Sequence, residues 1–144
     1  MLKKRMGILL LSILCLLLTA APQILNKGLL FKTGTSYTIY AGSASSNAKI
    51  ILCKEGRELF TKLFTGEVTG ESAAYAQTET AVAEAKRLGA RFLFSETAAG
   101  VTNYYGYSPR IAGGIILYGK KINVHVAVSE HGSAIGSPLI FGGY

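Results

Sequence analysis

Apolar and polar positions alternate most cleanly in the last third of the chain, from Asn103 to Tyr144. There Ile122, Val124, Val126 and Val128 interleave with Lys121, Asn123, His125 and Ala127, which puts an aliphatic row on one side of a pleat and a mixed row on the other. The pattern predicts a half-buried strand, entered from a turn at Tyr118-Gly119-Lys120 and left through one at Glu130-His131-Gly132-Ser133. A hairpin is predicted from Tyr37 to Cys53, its two strands joined by the Ser- and Asn-rich turn at 43–47. Arg91 to Glu96 reads as a strand with Phe92 and Phe94 on one side; Asn103 to Tyr107, Ile111 to Tyr118 and Ile135 to Phe141 supply the remaining strands.

Two stretches have helical rather than strand spacing. Leu59, Phe60, Leu63 and Phe64 recur at the period of a short helix. Thr78, Ala81, Val82, Ala85 and Leu88 share a face of a second, with Gln77, Glu79, Glu84 and Lys86 directed away and Gly89 where a C′ glycine ends it. Between them 66–72 reads as an interruption, with Ser72 placed to cap the second helix. Runs of strands with helices between them predict an α+β fold: a mostly antiparallel curved sheet with helices packed on one face, preceded by an N-terminal hydrophobic helix. The uncovered face is then solvated, or meets a partner or a membrane surface.

The N-terminus changes the picture. Lys3, Lys4 and Arg5 precede an apolar run from Met6 to Leu18, the n-region and h-region of an export signal. Thr19-Ala20-Ala21 offers small residues for cleavage, but the following Pro22 disfavours cutting after Ala21, and Leu18 disfavours it after Ala20. Both a cleaved signal and a retained anchor fit, with the balance toward the anchor. Leu14 before Cys15 argues against a lipoprotein signal. The expected organisation is a signal peptide or membrane anchor at 1–21, a tether at 22–35 and one α+β domain at 36–144, located outside the cytoplasm and either membrane-anchored or secreted.

Three of the fifteen basic residues belong to that leader, so the formal charge of +7 falls to +4 over the rest of the chain, where twelve basic residues face eight acids. The twelve are dispersed and make no nucleic-acid footprint. All eight acids are Glu, which rules out an Asp-based triad or an Asp-centred metal site. Cys53 is alone outside the leader and reads as a small buried hydrophobe.

Gly70-Glu71-Ser72-Ala73-Ala74 approaches a nucleophile elbow but has Ala74 where the second glycine belongs, so a serine hydrolase using Ser72 with His125 or His131 is kept only as an alternative. Those two histidines are too few for a metal site, and no cofactor motif is present. Tyr104, Tyr105 and Tyr107 with Arg110 form an aromatic stretch carrying a cation, a composition enriched at binding surfaces. Tyr104 points opposite to Tyr105 and Tyr107 in a strand. The candidate partner-binding set is therefore Tyr105, Tyr107, Arg110, Asn123 and His125.

Tyr37-Thr38-Ile39-Tyr40-Ala41-Gly42-Ser43, Gly70-Glu71-Ser72, Asn103-Tyr104-Tyr105-Gly106-Tyr107-Ser108-Pro109, Ile122-Asn123-Val124-His125-Val126-Ala127-Val128 and Gly136-Ser137-Pro138-Leu139-Ile140-Phe141-Gly142 resemble the exported YwmB-type proteins of spore-forming bacteria. The resemblance implies a fold like that of the TATA-box-binding protein, and it carries over no catalytic residue. Members of that family are longer, so it implies a reduced version or a relative. A fold likeness imports no DNA binding. The expected function is an exported, non-enzymatic envelope or sporulation-associated accessory protein with an envelope or membrane protein partner. A self-associating structural protein, pairing through an edge strand near the C-terminus, is a further alternative.

Overall fold

The computed structural model describes residues 2–26 and 28–142, with the backbone alone described at 2–5 and 22–26. The basic head at Lys3, Lys4 and Arg5, the Pro22 side chain and the terminal Gly143-Tyr144 therefore lie outside the described features. The elements in order are α1 (Leu2–Asn26), β1 (Ser36–Ala41), β2 (Lys49–Leu52), α2 (Glu58–Phe64), β3 (Val68–Tyr75), α3 (Thr80–Arg87), β4 (Arg91–Ala98), β5 (Val101–Tyr107), β6 (Ile115–Leu117), β7 (Lys120–Ile122), β8 (Val124–Ser129) and β9 (Gly132–Ser137). Seven strands form one sheet in the order β2-β1-β3-β9-β8-β5-β4, and β6 and β7 form a separate hairpin. Every neighbouring pair is antiparallel, so the fold is α+β with an antiparallel sheet.

One face of the sheet carries Tyr37, Ala73, Tyr75, Val124, Val126 and Ile135, and α3 covers it with Ala81, Ala85 and Leu88. The end of α3 follows from Gly89, whose φ of 72° lets its amide reach Lys86 O (2.9 Å) while the Ala90 amide reaches Ala85 O (3.0 Å). At the other end Ser133 Oγ on β9 accepts from the Ala81 amide (3.2 Å), satisfying one of the amides a helix start leaves unpaired. Glu84 does not point away from the protein: it is 8% exposed, paired with Arg87 and accepting from the Lys32 amide at 2.7 Å.

Val68–Tyr75, expected as an interruption and a helix cap, is a central strand. Among its buried inward residues Glu71 stands where a strand pattern would show an aliphatic, and Ser72 lies mid-strand with its hydroxyl on Tyr40. Glu71 also explains the stretch expected as a tether. Its Oε1 accepts from the Leu30 and Phe31 amides, Lys62 pairs with its other oxygen and donates to Gly28 O, and Phe31 is fully buried in the core. From Gly28 onward the chain is therefore a strap built into the domain. It shows no period because side-chain acceptors, not a ladder, hold its backbone.

The aliphatic row at 122–128 is real but not one strand. Asn123 interrupts it, fully buried, its Oδ1 accepting from the Ser108 amide (2.7 Å) and its Nδ2 donating to Ser108 O and Ile111 O (2.8 Å each). The final strand among the described residues is β9, which ends at Ser137 and lies in the middle of the seven-stranded sheet; the edges of that sheet are β2 and β4, so among the described residues neither of its edge strands lies near the C-terminus. After a cis Ser137-Pro138 bond the chain turns back over the second face of the sheet. There the Phe141 amide donates to Tyr40 Oη (2.9 Å) and the Ile140 amide to His125 Nδ1 (3.1 Å). Half of the face expected to be open is closed by the protein's own C-terminal segment.

Candidate binding face

The other half of that face is aromatic. Phe94, Tyr105 and His125 stand on adjacent strands β4, β5 and β8 at paired positions, Phe94 opposite Tyr105 and Tyr105 opposite His125. Their rings stack in a row, with centroids 4.8 Å apart at 21° and 4.7 Å apart at 16°. Tyr107, two residues from Tyr105, lies on the same side of β5. The β6–β7 hairpin reaches over this side: Tyr118 meets Phe94 edge-on at 5.6 Å, Lys120 Nζ sits 5.4 Å from the Phe94 ring and Lys121 Nζ 5.7 Å from the Tyr107 ring. The hairpin turn needs positive φ at both central residues, and Tyr118 (49°) and Gly119 (73°) supply it.

Phe94 belongs to this row because of an irregularity in β4. A register shift between Phe92 and Phe94 leaves Leu93 unpaired. The two phenylalanines, expected on one side, consequently face opposite ways: Phe92 packs on Tyr104 (5.3 Å) on the helix-covered face and Phe94 on Tyr105.

His125 is the most constrained of these groups. Ile140 N–H can only donate, so His125 Nδ1 is the accepting lone pair and Nε2 carries the proton, which it donates to Asn103 Oδ1 at 2.9 Å. The ring is therefore neutral, and burial lowers its pKa to about 4. Lys120 and Lys121 add positive charge beside the stacked rings, so the surface suits polar or anionic groups on a partner.

Among the five residues singled out from sequence, the structure brings together Tyr105, Tyr107 and His125. Arg110 lies apart, with Nη1 donating to Arg87 O (2.9 Å) beside the end of α3. Asn123 is internal: it is fully buried and its side-chain amide bonds to Ser108 and Ile111 of the loop 108–111. Sequence reasoning missed Phe94, Tyr118, Lys120 and Lys121. The Tyr118-Gly119 turn was a usable signal for the hairpin, while the shift at Leu93 left no trace in the pattern.

Ser72 and His125 share this side of the sheet, each opposite Gly136 of the intervening β9. Two strand spacings put them about 9.5 Å apart, and Ser72 Oγ is bonded to Tyr40 Oη at 2.7 Å. His131 is in the β8–β9 turn, 87% exposed and beside Glu130. The hydrogen bonds of Ser72 Oγ and of the His125 ring go elsewhere, to Tyr40 and to Asn103 and Ile140. Cys53 is half-buried, its thiol pushed up by burial, and borders a cavity of about 280 Å³ with Ile140 and Phe141. A larger cleft of about 440 Å³ runs between the strap and the loop at Arg110–Ala112, with Lys62 and Glu71 in its wall.

No known family matches. The chain matches no family model, no curated protein and no solved structure.

Proposed function

We propose that this protein is a non-enzymatic binding module, exported by its apolar N-terminal segment, either retained at the membrane or released, which meets an envelope partner through the Tyr105 face. The observation that carries the reading is the stacked Phe94–Tyr105–His125 row flanked by Lys120 and Lys121: the C-terminal segment covers its His125 end, and Phe94 and Tyr105 continue it toward the sheet edge on the face away from the helices. Aromatic and cationic side chains on a rigid sheet are the usual anchors of protein interfaces. The apolar character of α1, with Ile8, Leu9, Leu10 and Leu11 each 62% exposed, supports the export and membrane part. Among the described residues no helix is long and apolar enough to cross a membrane, so this part rests on α1 as a leader or a surface anchor. The resemblance to YwmB-type proteins extends the proposal to a sporulation-associated accessory role.

In situ crosslinking of the full chain tests it. The partner set recovered with the native protein should be lost in a Tyr105→Ala/Tyr107→Ala variant. An unchanged set would overturn the assignment of this face, and recovery of the native protein from the cytosol would overturn export.

A further inference from the structure

Helix α2 is packed inside out. Its buried side chain is Lys62, while Phe60 and Phe64, stacked with centroids 4.9 Å apart, are 67% and 58% exposed. The inversion is forced. Lys62 must reach inward to Glu71 and Gly28 O, and at 100° per residue the positions two before and two after it fall on the opposite side of the helix. Leu59, 47% exposed, widens the apolar surface. Leaving a phenylalanine in water forgoes the gain from burying its ring, so a surface with two of them side by side is unusual without an occupant.

The route of the chain identifies that occupant. Helix α1 ends at Asn26, and Gly28, two residues on, is bonded to Lys62 of α2. Two residues span at most about 7 Å, and α1 is in contact with α2. Whatever receives the apolar α1 is therefore brought against α2. We propose that Phe60 and Phe64 insert into the interfacial layer of the same lipid surface that takes α1, forming a second membrane contact on the folded domain. The charges around α2, Lys54 and Arg57 against Glu55, Glu58 and Glu67, offer no net attraction to anionic lipid, so the contact is apolar and works on zwitterionic bilayers. The inference rests on the reading of α1 as membrane-seeking.

The chain has no tryptophan, so a single substitution gives a clean reporter. Full-length Phe60→Trp protein is mixed with phosphatidylcholine vesicles containing acyl-brominated lipid, and flotation is read together with tryptophan emission. A Tyr118→Trp chain, whose reporter sits on the β6–β7 turn by the far edge of the sheet, is the control. The expected result is flotation of both, with a blue shift and bromolipid quenching for Phe60→Trp alone. Flotation with an unquenched Phe60→Trp reporter overturns the contact while leaving α1 as an anchor; a blue shift without quenching would assign the surface to a second copy or a protein partner. Equal quenching of both chains overturns it as well, and failure to float removes both the contact and the reading of α1.

Discussion

Inside the domain the ammonium of Lys62 is paired with the carboxylate of Glu71, with 11% and 3% of their side chains exposed. The pair joins three segments distant in the chain: the strap at Gly28–Phe31, helix α2 and the central strand β3. Taking two charges out of water is costly, and here strap amides and a carbonyl complete the coordination that makes the arrangement tolerable.

Removing both members should therefore cost less than the two removals taken separately would add up to. Glu71→Ala leaves Lys62 in a buried wall and two strap amides unsatisfied, an expected loss of about 3–5 kcal/mol in urea unfolding. The Lys62→Met/Glu71→Leu double variant should lose less than the sum of the single variants, because no uncompensated charge remains. Strict additivity would show that the two side chains act independently.

Acidification should destabilise the domain in two steps. His125 has a folded pKa of about 4 against an ordinary 6.5. Between those values the unfolded chain takes up a proton that the native domain refuses, so stability is complete above pH 6.5 and falls as pH drops toward 4. At about 1.4 kcal/mol per unit the loss is about 3 kcal/mol. For Glu84, burial raises the carboxyl pKa, but the Arg87 and Lys32 hydrogen bonds and charges outweigh it and hold it below the ordinary value, so its contribution is lost only at still lower pH. Urea midpoints across pH should lose the upper limb in His125→Gln and keep the lower one.

Tyr40→Phe tests the closed half of the second face. The phenol oxygen bonds Ser72 Oγ (2.7 Å), donates to Phe141 O (3.1 Å) and accepts from the Phe141 amide (2.9 Å), all in a fully buried residue. Losing that oxygen should cost about 1–3 kcal/mol and raise amide exchange at Phe141. Unchanged exchange there would show that the Phe141 ring, which meets Tyr40 at 5.1 Å, and the Ile140–His125 bond hold the C-terminal segment without the phenol oxygen.

The alternation at 122–128 and the face of α3 were legible because apolar burial set them, and burial leaves a period in the sequence. What was illegible has a common cause. β3 was hidden because its core-facing Glu71 and its small neighbours Gly70, Ser72, Ala73 and Ala74 show no aliphatic alternation. The strap was read as a tether because Glu71 and Glu84 hold its amides, and hydrogen bonds to distant side chains leave no local pattern. In the candidate face, Tyr105 and Tyr107 were placed together by strand period alone, whereas Phe94 required a register shift that only the partner strand reveals.

That same dependence on a neighbouring segment makes Gly136 informative. A Cβ there would lie 2.7 Å from Ile140 Cγ1, 2.9 Å from Leu139 O and 3.0 Å from the Ile140 amide. The segment would have to lift, at a cost of about 1–3 kcal/mol. Lifting breaks the Ile140 N–H to His125 Nδ1 bond and admits water to a ring whose pKa is depressed by burial. Gly136→Ala should therefore move the His125 titration, followed by NMR of the ring protons, upward from about 4 toward its ordinary 6.5. The shift should appear even at temperatures where the variant is fully folded. A folded variant with an unmoved titration would mean that the strands and Tyr105, rather than the C-terminal segment, keep water from His125.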